Sequence, residues 1–370
     1  MLGYCERLPV YKVMRITPPM DVEVTELEDA VINTACFQRL KGIKQLGMAY
    51  QVYPSAHHTR FEHSLGTLWY ATRIFDNMMR NTITLAKERA HDAEFSAYVT
   101  WLSRNSQIIL ESLRLAALLH DFTHLPFGHE LEDDLRVFPE GHEGNADRFN
   151  TFWNAIRHQV PSYIAERDCL QPNHLAWEIL RAVQKVPPYH EHKTYAEMLK
   201  AKLVLDGHPV PFLADVVGNT ICADLFDYLK RDMYCTGIKR DYDERILGHF
   251  RLAPGTYRLC LFVVHEGSYQ QDIVHEIINM LWMRYVVQER ICYHPTKLAA
   301  AALLGRAVRA AAFTPEAAYD LTDEAFLLRL KGAGAGAAHF VDLLKRRELC
   351  KPVYKSITGY ADKAFEYKEL

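Results

Sequence analysis

An adjacent histidine and aspartate, His120-Asp121, end a nearly all-apolar segment that begins at Leu113. An ionised carboxylate beside such a segment is costly unless a positive charge compensates it. Imidazole and carboxylate both ligate divalent transition metals, and adjacent helical positions point about 100° apart. The pair can therefore flank an ion that lies beside the helix axis. Taken alone, such a dipeptide is more often a capping aspartate next to a core histidine.

Further residues with the same chemistry occur elsewhere in the chain. His63 begins one apolar helical stretch, HSLGTLW, and Asp224 lies in another, ICADLFDYL. Three more histidines follow the pair: His124, His129 and His142. Because a metal site needs several nitrogen and oxygen ligands, this set supports a metal site more strongly than the pair alone does.

The elements that must position these residues have mostly helical patterning. Thr25 and Glu28 form a capping box at a helix start, and apolar residues recur at helical spacing over 65–75. Residues 215–234 are predicted to form one further helix. Residues 255–265 are rich in β-formers and follow a Pro-Gly turn, which predicts a short hairpin. The pattern predicts an all-α helical bundle with a small β-hairpin insertion and an Ala-rich helical C-terminal tail.

Composition limits the class of protein. Of the 370 residues, 49% are hydrophobic and 24% charged, as in ordinary globular proteins. A net charge of −3 argues against a protein that binds nucleic acid through a basic surface. The N-terminus lacks a signal-peptide core, no stretch is apolar enough for a membrane span, and the eight scattered cysteines include no CxxC pair. These features predict a cytoplasmic protein without a membrane or nucleic-acid partner.

Four short stretches resemble one known family. They are Phe37–Thr67, Leu118–Asp133, Gly141–Gly144 and Asp224–Asp232, and they contain RFEHSLGT, LLHDFTHLPFGHELED, GHEG and DLFDYLKRD. Their order and content are similar to those of the HD-domain deoxynucleoside triphosphate triphosphohydrolases, over roughly residues 20 to 310. Together with the Ala-rich stretch near residue 295, the resemblance predicts an HD phosphohydrolase domain at 20–295 and a helical C-terminal region at 296–370.

The resemblance implies a divalent metal ion held by His63, His120, Asp121 and Asp224. Fe, Mn, Zn, Ni and Mg are all compatible with this expectation. A metal with open coordination positions binds water and a phosphate oxygen, lowers the pKa of the water and offsets charge on the phosphoryl group. The family reaction is attack on the α-phosphorus of a dNTP, which releases a deoxynucleoside and inorganic triphosphate. The family is all-α and usually oligomeric, so a homo-oligomer is expected.

The resemblance also implies catalytic roles for His124, His129 and His142, which match family positions that line the phosphates. A protonated imidazole can donate to the leaving 5′-oxygen, since the pKa of histidine lies near working pH. His129 is the favoured acid, and the other two histidines would hold the α-phosphate. Arg60 matches a phosphate-binding arginine whose forked guanidinium suits a phosphate. The alternative for Arg60 is an ion pair with Glu62.

A helical face that begins at Asp224 predicts a place for the sugar of the substrate. Tyr228 and Asp232 follow at i+4 and i+8, so the three residues share one face for two turns. In the family, matching residues and Gln45 hold the sugar 3′-hydroxyl. The alternative is that Tyr228 packs in the core and Asp232 pairs with a neighbouring cation at the surface. Asp227 is expected to form a plain helix ion pair with the arginine four residues on.

Four positions depart from the family pattern. Leu225 stands where a lysine commonly follows the metal aspartate, and Cys292 matches a tyrosine that stacks near the sugar. Asn33 and Lys41 stand where the vertebrate branch reads an allosteric guanine with an aspartate and an arginine, which argues against a GTP-activated switch of that kind. The first hypothesis remains dNTP hydrolysis. The alternatives are another nucleotide substrate, such as a nucleoside monophosphate or an alarmone, and a slow nucleotide-binding regulator.

Overall fold

The computed structural model describes residues 8–138, 141, 143–186, 203–265 and 267–351. Of the residues singled out above, His142 lies outside the described part, as does the end of the predicted C-terminal region, 352–370. Within the described part, each helix is too short or too polar to cross a membrane.

The fold is all-α, as predicted. In chain order, the α-helices of the described residues are α1 (Glu26–Ile32), α2 (Ala35–Gln38), α3 (Arg60–Glu88), α4 (Ala93–Arg104), α5 (Ser106–Leu119), α6 (Ala146–Gln159), α7 (Leu175–Val183), α8 (Phe212–Val217), α9 (Ala223–Thr236), α10 (Gln271–Val287), α11 (Pro295–Ala311), α12 (Asp323–Gly332) and α13 (Ala335–Lys345). The capping box predicted at the start of α1 is confirmed, since the Glu28 amide donates to Thr25 Oγ1 and the Thr25 amide donates to Glu28 Oε2.

Among the described residues, every strand belongs to a two-stranded antiparallel hairpin. They are β1 (Lys12–Ile16) with β2 (Met20–Val24), β3 (Val204–Leu205) with β4 (His208–Pro209), β5 (Phe250–Leu252) with β6 (Leu259–Leu261), and β7 (Val264–His265) with β8 (Ser268–Tyr269). The stretch 255–265 therefore supplies one strand to each of two hairpins, where a single hairpin was predicted. Sequence analysis missed β1 and β2, although the apolar and acidic residues of β2, MDVEV, alternate with the period of a half-buried strand.

The centre of the fold is α3, a helix of 29 residues that spans about 44 Å. It packs against α5 on one side and α9 on the other. Apolar residues on α3 at i, i+3, i+6 and i+9, namely Leu65, Leu68, Ala71 and Ile74, are fully buried. The segment from Leu113 to Leu119 is also buried, as its composition predicted. The three helices are thus fixed by a common apolar core.

The single helix predicted over 215–234 is wrong, because the chain forms α8 and α9 with a break between them. At the break, a Cβ on Gly218 would lie 2.9 Å from Val183 Cγ1, so the backbone passes close to α7. Asn219 donates from its side chain to Asp215 Oδ1 and accepts from the Thr220 amide. This local bonding competes with helical bonding. The break places Asp224 in the first turn of α9.

Candidate metal centre

Three helix ends converge on one point of the core. His63 lies in the first turn of α3, where Thr59 and Glu62 form a capping box. His120 and Asp121 directly follow α5, and Asp224 lies in the first turn of α9. Because each residue is at the end of a packed helix, its backbone is held firmly while its side chain reaches into the space between the helices.

The structure brings together the four residues that the resemblance implied as metal ligands. His63 Nε2 lies 3.1 Å from His120 Nε2, 3.1 Å from Asp224 Oδ1 and 3.6 Å from Asp121 Oδ2. His120 Nε2 lies 3.6 Å from Asp121 Oδ1 and 3.9 Å from Asp224 Oδ1. His63, His120 and Asp121 have ligand atoms within 4.8 Å of one another, and Asp224 Oδ1 lies beside both imidazoles. Two imidazoles and two carboxylates are a donor set that suits a divalent transition metal.

The second ring nitrogen of each histidine is already bonded. His63 Nδ1 lies 2.8 Å from Asp227 Oδ2, and His120 Nδ1 lies 2.8 Å from the Ala117 carbonyl oxygen. Since a carboxylate and a carbonyl only accept, both Nδ1 atoms must carry protons. In the neutral rings, two Nε2 lone pairs then face each other at 3.1 Å. This contact is repulsive unless a positive charge lies between the two nitrogens.

Asp227 does more than the plain helix ion pair that was expected of it. It is fully buried, it accepts from Arg231 through both carboxylate oxygens at 2.7 and 2.8 Å, and it also holds His63. A Cβ on Gly66 would lie only 1.7 Å from Asp227 Oδ1, so the glycine provides the space for this carboxylate. Sequence analysis missed this role, although the i, i+3 spacing of Asp224 and Asp227 puts both on one side of α9.

The centre favours positive charge at His63 and negative charge at Asp121. Burial lowers the pKa of His63, but its hydrogen bonds to Asp224 and Asp227 outweigh burial and raise this pKa to about 10. Burial also opposes ionisation of Asp121, yet Arg60 and the nearby imidazoles hold the pKa of that carboxyl well below its usual value. The carboxylates that stabilise a proton on His63 would equally stabilise a metal cation that replaces this proton.

Arg60 and His124 both contact the carboxylate of Asp121. Arg60 Nη1 donates to Asp121 Oδ2 at 2.5 Å, and His124 Nε2 lies 3.2 Å from Asp121 Oδ1. The alternative pair of Arg60 with Glu62 does not form, because Glu62 caps the start of α3. Burial and the charge of Arg60 lower the pKa of His124, so its ring is neutral near pH 7.

His129 differs from His124 in exposure. Its side chain is 54% exposed, its Nδ1 lies 2.5 Å from Asp133 Oδ2, and its ring centroid is 4.7 Å from that of His124. A carboxylate that accepts from one ring nitrogen fixes the orientation of the other. Asp133 therefore orients the His129 ring at the mouth of the site.

The residues expected to bind the sugar line the same space as the metal ligands. Gln45, Tyr228 and Asp232 all face it. Asp232 is buried and lies 2.8 Å from His58 Nε2, so it does not form the surface ion pair considered as an alternative. Burial lowers the pKa of His58, but hydrogen bonds to Asp232 and Cys235 raise it to about 9. Sequence analysis gave His58 no assigned role, and the structure identifies it as the partner of Asp232.

A cavity of about 510 Å³ joins these groups. Among the described residues, it is lined by the four candidate metal ligands, by Gln45, Arg60, His124, His129, Tyr228 and Asp232, and by the cations Lys185, Arg284 and Lys297. Cys292 also lines it, whereas Leu225 is buried in the core away from it. The cavity is large enough for a nucleotide, within the usual range for small-molecule sites.

Comparison with known proteins finds a family model and several relatives that are similar to this chain. The model of the HD domain matches residues 60–229, which contain all four candidate ligands. The chain is 26% identical over 299 residues to an uncharacterized protein of Methanocaldococcus jannaschii, which covers 80% of this chain and 49% of that protein. It is 27% identical over 294 residues to the uncharacterized protein YwfO of Bacillus subtilis, which covers 79% of this chain and 54% of that protein.

One group of relatives has a stated activity. The chain is 31% identical over 239 residues to the deoxynucleoside triphosphate triphosphohydrolase SAMHD1 of Bos taurus, which covers 60% of this chain and 35% of that protein. The chain spans about half the length of the first curated relatives it matches, and about a third of the triphosphohydrolases. Residues 60–229 thus match the HD domain, and the chain is similar in sequence to the deoxynucleoside triphosphate triphosphohydrolases.

Proposed function

We propose that the protein is a metal-dependent phosphohydrolase that converts dNTPs to deoxynucleosides and inorganic triphosphate. One observation carries the metal part of this proposal. The Nε2 atoms of His63 and His120 face each other at 3.1 Å while both Nδ1 atoms are bonded to acceptors. A divalent cation held by these nitrogens, Asp121 and Asp224 would relieve the repulsion and balance the two carboxylates.

The bound metal would supply Lewis-acid chemistry at the phosphate and a water of lowered pKa. The remaining roles fall to side chains of this chain. Arg60 uses one guanidinium nitrogen on Asp121, which leaves further donors for a phosphate oxygen. Neutral His124 can accept from or donate to a neighbouring group beside Asp121. His129, oriented by Asp133, can donate a proton to the leaving 5′-oxygen.

Specificity for a sugar hydroxyl is supported by an unsatisfied polar atom. Gln45 Oε1 is buried and has no hydrogen-bond partner among the described residues. A buried acceptor without a partner is costly, and a substrate hydroxyl would satisfy it. Tyr228 and Asp232 add a hydroxyl and a carboxylate to the same cavity. We therefore expect 2′,3′-dideoxynucleotides to be poor substrates, since they would leave these groups unpaired.

A second candidate substrate is a nucleotide with fewer phosphates. Leu225 brings no charge to the cavity, Lys185 pairs with Glu143, and Lys297 pairs with Asp134. Arg284 also lines the cavity, and the structure gives it no carboxylate partner within the described residues. Among the described residues that line the site, Arg284 is therefore the one cation, besides Arg60, that can bind a triphosphate, which carries about four negative charges.

Product analysis of a nucleotide panel tests both candidates. The purified protein, supplemented in turn with Mn²⁺, Fe²⁺, Ni²⁺, Zn²⁺ and Mg²⁺, would be given the four dNTPs, their monophosphates and the 2′,3′-dideoxy analogues. Inorganic triphosphate and deoxynucleoside from dNTPs support the proposal. Orthophosphate from monophosphates, with dNTPs inert, would establish a nucleotidase instead. Tight nucleotide binding without turnover under any metal would indicate a regulator.

A further inference from the structure

A buried carboxylate outside the metal centre joins the two loops that carry the site. Asp323 is the first residue of α12 and is fully buried. Its Oδ2 accepts from the Lys44 amide at 2.9 Å, and its Oδ1 accepts from the Phe127 amide at 3.0 Å. One side chain thus bonds two backbone positions that are 83 residues apart in the chain and 279 and 196 residues from Asp323.

Each of these amides lies next to a residue of the proposed site. Lys44 directly precedes Gln45, whose unpartnered oxygen lines the cavity. Phe127 lies between His124 and His129 and has a positive φ of 61°, which is unusual for a bulky residue. A strained loop persists only where its surroundings hold it. The hydrogen bond that the Phe127 amide donates to Asp323 supplies such a restraint.

The neighbours of Asp323 hold the same two loops. Arg39 Nη2 donates to the carbonyl oxygens of Phe122 and His124 at 3.1 and 2.9 Å, and Arg39 Nη1 donates to the Leu321 carbonyl at 3.5 Å. A Cβ on Gly42 would lie 2.4 Å from Thr322 Cγ2, so the first loop passes directly against this turn. The turn before α12 is therefore packed between the two loops.

We propose that Asp323 is a positioning residue of the site, which sets the places of Gln45 and of the histidine pair His124 and His129. This inference rests on the proposed function for its effect on turnover, but its structural part does not. A buried carboxylate that accepts from two backbone amides orders both loops before a ligand arrives. Such preorganisation lowers the free-energy cost of binding.

The decisive comparison is Asp323→Asn against Glu324→Gln. The asparagine has the shape of aspartate but turns one acceptor into a donor, so one loop amide loses its partner. The control removes the charge of the next residue, whose side chain is 73% exposed and lies a similar distance from Lys44 Nζ. Hydrogen–deuterium exchange would be measured on all three full-length proteins loaded with Mn²⁺.

In Asp323→Asn, exchange should rise on the order of tenfold in at least one of the two peptides that contain Lys44 or Phe127, namely the one whose amide loses its buried hydrogen bond. Exchange elsewhere and metal content should match wild type, since none of the four candidate metal ligands bonds to Asp323. With dNTP as substrate, kcat should fall and KM should rise. Glu324→Gln should match wild type in every measurement.

The inference is overturned if both loops of Asp323→Asn keep wild-type exchange. It is also overturned if exchange rises evenly along the whole chain while kcat and KM, measured below the melting temperature of the variant, stay unchanged. The second pattern would mark a residue that serves stability alone. If wild type hydrolyses no nucleotide, the proposed function fails, and loop exchange still decides the positioning role. Asp323→Ala is not needed, because the asparagine variant keeps the side-chain volume and is expected to fold.

Discussion

At the scale of single residues, each of the two candidate metal-site histidines is oriented by the hydrogen bond that its second ring nitrogen donates. A histidine binds a metal through one ring nitrogen only if the other is protonated and held. In this chain Asp227 holds His63 and the Ala117 carbonyl holds His120. The proposed centre therefore depends on acceptors that are not themselves candidate ligands.

At the same scale, His129→Ala is expected to lower kcat by about 10² to 10⁴-fold, the usual loss when acid–base help is removed. Metal content should not change, because His129 is 54% exposed and bonds to Asp133 rather than to a candidate ligand. His158→Ala, at an exposed position in the last turn of α6, is the matched control. Full turnover and full metal content in His129→Ala would remove this histidine from the mechanism.

Glu130 gives the protein a dependence of stability on pH. Burial raises the pKa of this carboxyl to about 7 in the folded protein, despite the nearby Lys297. The folded state then holds a proton that the unfolded chain releases near pH 4.5. The contribution of this carboxyl to the free energy of unfolding is fully present below pH 4.5 and is lost as the pH rises to about 7.

Glu130→Gln removes the titrating carboxyl, so the variant should not lose this stability as the pH rises from 4.5 to 7. The unfolding free energy of the variant minus that of wild type should therefore increase over this range. Urea unfolding across this range measures it, with the exposed Glu316→Gln as control. A difference that is constant with pH would show that folding does not raise the pKa of Glu130.

At the scale of elements, α3 and α9 pack so closely at Gly66 that a larger side chain there would overlap Asp227. Gly66→Ala would push a methyl group into Asp227, with its Cβ 1.7 Å from Oδ1. The carboxylate must then move away from His63. Metal affinity should fall about 10 to 100-fold, as it does when an outer partner of a metal histidine is lost.

Gly332→Ala is the matched control for this variant, because a Cβ there meets nothing within 4 Å. In a helix this second substitution should be neutral or slightly stabilising. Competition with a chelator would measure metal affinity in both variants. Asp227→Asn provides a milder version if Gly66→Ala does not fold. Equal metal affinity in all of them would contradict the role given to Asp227.

At the scale of the whole molecule, the sequence predicted the class of fold and the residues that gather at its centre. Helical periodicity and the apolar stretch before His120 were enough for the all-α fold. The break between α8 and α9 was missed because it depends on a close approach of Gly218 to α7, and such tertiary contacts have no local signal. The roles of Asp227, His58 and Asp323 depend on partners far away in the chain.

Assembly is also a property of the whole molecule. On α10, the side chains of Ile278, Leu281, Trp282 and Tyr285 are between 41% and 58% exposed and follow helical spacing. Exposed apolar groups of this kind are typical of surfaces that are covered in an assembly. Light scattering should therefore report a dimer or a larger species. A monomer at micromolar concentration would contradict this expectation.

The central claim is that His63, His120, Asp121 and Asp224 hold one divalent ion, and elemental analysis of the purified protein tests it most directly. Wild type should contain about one divalent ion per chain. Asp121→Asn should lose it while remaining folded, and Asp272→Asn, which changes an exposed aspartate, should keep it. Wild-type protein that remains without metal after dialysis against each candidate ion, or Asp121→Asn protein with a full complement of metal, would contradict the account.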